Sequence, residues 1–185
     1  MQRLNPSKTA VVVVDIQERL VPAMPERRVA EIVRAANVLV ESGRLLRVPT
    51  LATVQYTKGL GPMIEPVLAV LAGAGVTPIE KTQFSAVDAP GFVDALRASG
   101  ATDVVVLGME THVCVYQTVR DLRALGYGVQ VPADGVCSRR DEARQVGLEL
   151  ARACGAVVTT AETVVLDWLR DSAAPEFRSI SRLIK

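Results

Sequence analysis

The sequence predicts an α/β protein: a three-layer α/β/α sandwich around a central six-stranded parallel sheet. Three observations carry that expectation. Short apolar runs alternate with segments of helical length along the whole chain. The runs are apolar at every position, as in Val11-Val12-Val13-Val14 and Val104-Val105-Val106-Leu107. That pattern suits parallel strands covered by helices on both faces. Hydrophobic residues make up 49% of the chain and aromatics only 4%, so Ala, Val and Leu must build the core.

The elements follow in order. Residues 9–15 read as a buried strand ending in an acid, Asp15. Over 28–46 the apolar positions Val29, Ile32, Val33, Ala36, Leu39 and Val40 recur at helical spacing, with Gly43 near the end. Pro49 introduces a strand at 50–55, and Lys58-Gly59-Leu60-Gly61-Pro62 reads as a loop. A short helix at 64–73 and a strand at 76–80 follow. Residues 88–99 are helical up to Gly100, and 102–107 form the fourth strand. A helix at 114–125 closes at Gly126, and 128–132 is the fifth strand. Ser138 has the chemistry of an N-cap, with Asp141 three residues on, which opens a helix at 139–153. A sixth strand at 156–159, a helix at 161–170 and a helical tail at 175–184 complete the set. The expected arrangement is Rossmann-like, with strand order 3-2-1-4-5-6. Ligands of such sheets bind beyond the carboxyl ends of the strands, where the order reverses. If the first and fourth strands are central neighbours, Asp15 and Cys114 lie side by side.

Composition narrows the function classes. The 185 residues fit a single domain spanning 1–185. Net charge is +1, with both signs interspersed, so neither a nucleic-acid surface nor an acidic tail is expected. No apolar run reaches membrane-spanning length, and no signal peptide opens the chain. Cysteines at 114, 137 and 154 form no CxxC or disulfide pattern, which fits a reducing, cytoplasmic setting. One histidine, His112, cannot supply a histidine-rich metal site. The pair Gly59-x-Gly61 lacks the third glycine of a dinucleotide fingerprint. No metal and no cofactor are expected.

Three reactive groups fall just beyond three strand ends: Asp15, Lys81 and Cys114. Cys114 follows a strand and a turn and sits at a helix start. There the helix dipole is expected to favour its thiolate, the nucleophilic form. Gln17, Gln55, Tyr56, Phe84 and Thr111 are pocket candidates. Arg139 and Arg140 belong to the first turn of a helix, solvated or reaching an acidic substrate or a partner subunit. His112 reads as a surface or interface residue. Cys137 and Cys154 read as small core hydrophobes.

At these positions the chain resembles the isochorismatase-like cysteine hydrolases. The matching pieces are Val13-Val14-Asp15-Ile16-Gln17, Lys81-Thr82-Gln83-Phe84-Ser85-Ala86 and Gly108-Met109-Glu110-Thr111-His112-Val113-Cys114-Val115. Gln55 to Pro62, Asp134 to Arg139 and the tail from Pro175 look most like the small isochorismatase-domain-containing proteins. The resemblance implies an Asp15-Lys81-Cys114 triad that cleaves a small amide or related acyl substrate through a thioester-type intermediate. It also implies an oxyanion hole from the main-chain N–H groups of Glu110 and Cys114, a cis peptide between Met109 and Glu110, and a homo-oligomer (dimer or higher). Gln55-Tyr56-Thr57 stands where the nicotinamidase branch carries an Asp-x-His metal motif, so a metal-dependent nicotinamidase is disfavoured. A vinyl-ether hydrolase of the isochorismatase type and a non-catalytic scaffold are the alternatives.

Overall fold

The computed structural model describes residues 3–185. Its strands are β1 (Thr9–Val14), β2 (Thr50–Gln55), β3 (Ile79–Lys81), β4 (Asp103–Met109), β5 (Gly128–Pro132), β6 (Val136–Cys137) and β7 (Val157–Thr159). The helices are α1 (Glu26–Leu46), α2 (Thr57–Leu60), α3 (Glu65–Gly73), α4 (Phe92–Ala98), α5 (Tyr116–Ala124), α6 (Asp141–Ala153), α7 (Ala161–Leu169) and α8 (Phe177–Ile184). All strand pairs are parallel, in the order β3-β2-β1-β4-β5-β7. The six-strand order holds, and a two-residue extra strand, β6, pairs with the carboxyl end of β4.

Strands with apolar residues on both faces make the sandwich possible. Val11 and Val13 of β1 face one core with α1, α3, α7 and α8, whereas Ala10, Val12 and Val14 face the other with α4, α5 and α6. A strand alternates its side chains between faces, so each face needs its own apolar set. Ile32, Ala36 and Leu39 of α1 lie on one turn-to-turn stripe and are fully buried. The helix runs past Gly43 to Leu46, and Arg47 takes the left-handed conformation that ends it (φ 59°). Gly43 instead lets Val48 pack close, its missing Cβ lying 3.4 Å from the Val48 carbonyl.

Two local expectations are corrected. Ser138 does not cap α6: the N-cap is Arg140, in extended conformation and with no side-chain cap bond. The Ser138 hydroxyl is fully buried and is paired with His112 Nδ1 at 3.0 Å. Nor does an α-helix begin at Cys114. Residues Thr111–Val115 form a π-turn, with the Val115 N–H reaching back to the Glu110 carbonyl at 3.2 Å, and α5 follows at Tyr116. Such widened turns re-aim side chains and recur at functional sites.

Gly108 lets β1 and β4 meet. It sits opposite Val14 with φ 136°, and an added Cβ would lie 2.0 Å from the Val14 carbonyl oxygen. Gly126 also has positive φ, 90°, but open space around it. In urea melts Gly108→Ala is expected to cost on the order of 4 kcal/mol, a main-chain clash at the extreme of single-residue effects. Gly126→Ala should cost only the ~1–2 kcal/mol of a left-handed L-residue. Equal losses would refute the steric assignment.

Candidate active site

The site is built from the carboxyl ends of β1, β2, β3 and β4. Asp15 follows the last residue of β1 and has φ 52°. That turn directs a carboxylate into the sheet end, where it is fully buried. Its Oδ1 accepts from Thr53 Oγ1 at 2.8 Å, and its Oδ2 accepts from Lys81 Nζ at 2.5 Å. Lys81, the last residue of β3, donates further to the carbonyls of Gln83 (3.0 Å) and Phe84 (3.1 Å). All three ammonium protons therefore have acceptors. That full satisfaction offsets the cost of burying the charge.

Cys114 lies in the π-turn beyond β4 and is 5% exposed. Its main-chain carbonyl accepts from Thr118 Oγ1 at 2.7 Å, while the Ala86 N–H donates to that same hydroxyl at 2.9 Å. The thiol is 3.9 Å from Gln55 Oε1. Burial first, and then the Asp15 carboxylate, push its pKa up to about 12, against a lowering pull from Lys81. Burial thus outweighs the dipole argument from sequence and favours the neutral thiol. The Met109–Glu110 peptide is cis. The Glu110 carboxylate accepts from the main-chain N–H of Arg139 at 2.9 Å and from its Nε at 3.1 Å.

A cavity of about 500 Å³ opens above the thiol. Gln55, Phe84, Glu110 and Cys114 line it, with Leu20, Met24, Leu60 and Val113 as apolar wall and Arg19 and Arg139 as its cations. Of the pocket candidates, Gln55 and Phe84 are therefore at the cavity. Gln17, Tyr56 and Thr111 are not among its lining residues. Gln17 is fully buried and holds the loop instead, donating to the carbonyls of Gln55 and Gly61 and accepting from the Gln55 N–H. Tyr56 points outward over Gly59, where any Cβ would collide with its ring at 2.3 Å. Thr111 is buried, and its hydroxyl has no partner among the described residues. Sequence reasoning missed Thr53, a polar residue inside the buried stretch Leu51–Val54 of β2, and that interruption was the available signal. It also missed Arg19, which donates to the Gly59 carbonyl at 2.9 Å.

Fold and site together define a doubly wound α/β protein with carboxylate, ammonium and thiol converging at its strand ends. The isochorismatase domain model matches residues 9–163, and the chain belongs to that family. It is 34% identical to isochorismatase domain-containing protein 2A of Mus musculus, over 99% of this chain and 85% of that one. It is also 34% identical to isochorismatase domain-containing protein 1 of Salmo salar, over 98% of this chain. The match spans only 62% of the salmon protein's length. Among solved structures, the MAR1 ribonuclease of Caenorhabditis elegans superposes with a TM-score of 0.91 at 33% identity, covering 99% of this chain and 92% of that one.

Two outcomes are expected. Lys81→Met strands the Asp15 charge and should lower stability by about 3–5 kcal/mol in urea melts; Lys81→Met with Asp15→Asn should recover part of that. Iodoacetamide should label Cys114 at pH 8 more slowly than it labels a free thiol, because burial raises the thiol pKa. Asp15 raises that pKa, so Asp15→Asn should speed labelling; slower labelling would contradict the assigned electrostatics.

Proposed function

We propose that the protein is a cysteine hydrolase that cleaves a small amide or related acyl compound without metal or cofactor. One observation carries this reading: a buried carboxylate, held by Lys81 and Thr53, lies against a neutral, buried thiol at the floor of a small cavity. Asp15 takes the Cys114 proton as Sγ attacks the acyl carbon. The carbonyl π electrons move to oxygen, where the N–H groups of Glu110 and Cys114 receive the negative charge. Collapse breaks the C–N bond, and Asp15 returns the proton to the departing amine. A thioester on Cys114 remains. Water then attacks it, Asp15 accepts the water's proton, and collapse releases the acid while that proton returns to sulfur. Lys81 acts throughout as a fixed positive charge hydrogen-bonded to the carboxylate.

The cavity dimensions support a small substrate, and its wall is largely apolar. The nematode neighbour is described as a ribonuclease. A formal charge of +1 lacks the surplus of cations that a polyphosphate chain draws on. In the same reading the chain works as a homo-oligomer in the cytoplasm, whose reducing conditions suit three free cysteines. Within the described residues no helix is long and apolar enough to cross a membrane.

A screen of small amides, read by acid release and by intact mass, tests the proposal. Cys114→Ala should abolish turnover. Asp15→Asn should lower kcat by about 10³-fold or more, even though its thiol alkylates faster. A mass adduct equal to the acyl group should appear on Cys114 in the wild type. Full turnover in Cys114→Ala would reject the mechanism, and no adduct and no turnover with any amide would leave the scaffold reading.

A further inference from the structure

The cavity wall is largely apolar, yet two guanidinium groups, Arg19 and Arg139, and one carboxylate, Glu110, also line it. The Asp15–Lys81 pair beneath is neutral as a unit. The cavity therefore presents one net positive charge to whatever enters. The two arginines are held differently. Arg19 spends an Nη on the Gly59 carbonyl. Arg139 is fixed at its base, where both its main-chain N–H and its Nε donate to one oxygen, Glu110 Oε2. Its two Nη groups have no protein acceptor among the described residues, and 62% of the side chain is exposed. Glu110 itself is mostly buried. It is a rigid anchor, two residues beyond Gly108 and four before the thiol.

We infer that Arg139 is a specificity-determining residue that selects a substrate bearing one carboxylate, with Glu110 as its positioning residue. The inference names the substrate class within the proposed function and takes its chemistry from that reading. A guanidinium whose Nε is already anchored still offers an Nη edge, and such a fork suits a carboxylate's geometry. Fixing the side chain beforehand removes part of the ordering cost that a flexible arginine would incur on binding. The substrate is then a small acyl compound with its reacting carbonyl over Cys114, an apolar body against Leu20, Met24 and Val113, and a carboxylate at Arg139.

Two alkylating probes of nearly equal size and opposite character test this without knowledge of the substrate. Iodoacetate carries the carboxylate and iodoacetamide does not. Labelling of Cys114 is followed by peptide mass in wild type, Arg139→Gln, Arg139→Lys and, as a control outside the cavity, Arg140→Gln. Arg139→Gln should slow iodoacetate about tenfold while iodoacetamide stays within about twofold, the scale of one charge-assisted pair. Arg139→Lys should fall between, and Arg140→Gln should match the wild type. Propionate should protect the wild-type thiol and not the Arg139→Gln thiol. Equal slowing of both probes, or an unchanged iodoacetate rate, would overturn the inference. Charge selectivity without turnover of any amide would retain Arg139 as a carboxylate reader and reject the hydrolase reading. Turnover without charge selectivity would do the reverse.

Discussion

A single buried ion pair constrains the rest of the molecule. Asp15 Oδ2 and Lys81 Nζ meet at 2.5 Å with both side chains fully excluded from solvent. Burying two charges costs several kcal/mol per ion unless every remaining proton and lone pair is placed. The fold meets that demand from three sources: a threonine on β2, two carbonyls of the loop after β3, and the ends of strands held in fixed register. Thr53 sits beside Val14, and Lys81 beside Gln55. A shift of one residue in either pairing would turn these side chains to the opposite face of the sheet and leave a charge unpaired.

The thiol is set against that pair by main-chain geometry. Gly108 brings β4 onto Val14, and the π-turn then carries Cys114 back over the sheet end. Gly147 of α6 lets that helix close on the same turn, since any Cβ there would lie 2.7 Å from the Thr111 and His112 main chain. The thiol thus lies in an apolar, close-packed seat beside a carboxylate. Its pKa is pushed up to about 12. A buried thiol held in its neutral form reacts slowly with adventitious electrophiles.

Much of this was legible in the chain itself. Apolar strand runs alternating with helical segments announced a parallel sheet, because crossover helices cover both of its faces. Asp15, Lys81 and Cys114 stood out as reactive residues close to the ends of three strands. The helix start at Cys114 was misread, because α and π turns share the same residue preferences over so short a span and differ only in a main-chain hydrogen bond. Ser138 was misread because its partner, His112, is 26 residues away. Gln17 was grouped with the pocket because a sequence shows an amide but not what the amide faces.

By itself, then, the sequence determined the parallel α/β architecture and singled out three reactive groups near strand ends, the first from local periodicity and the second from the resemblance carried by the surrounding motifs. Tertiary structure alone decided the burial that raises the thiol pKa, the partners of Asp15 and Lys81, and which side chains line the cavity. Those properties depend on burial and on contacts between segments far apart in the chain. Such contacts are fixed only when the strands take their register and the helices close over them.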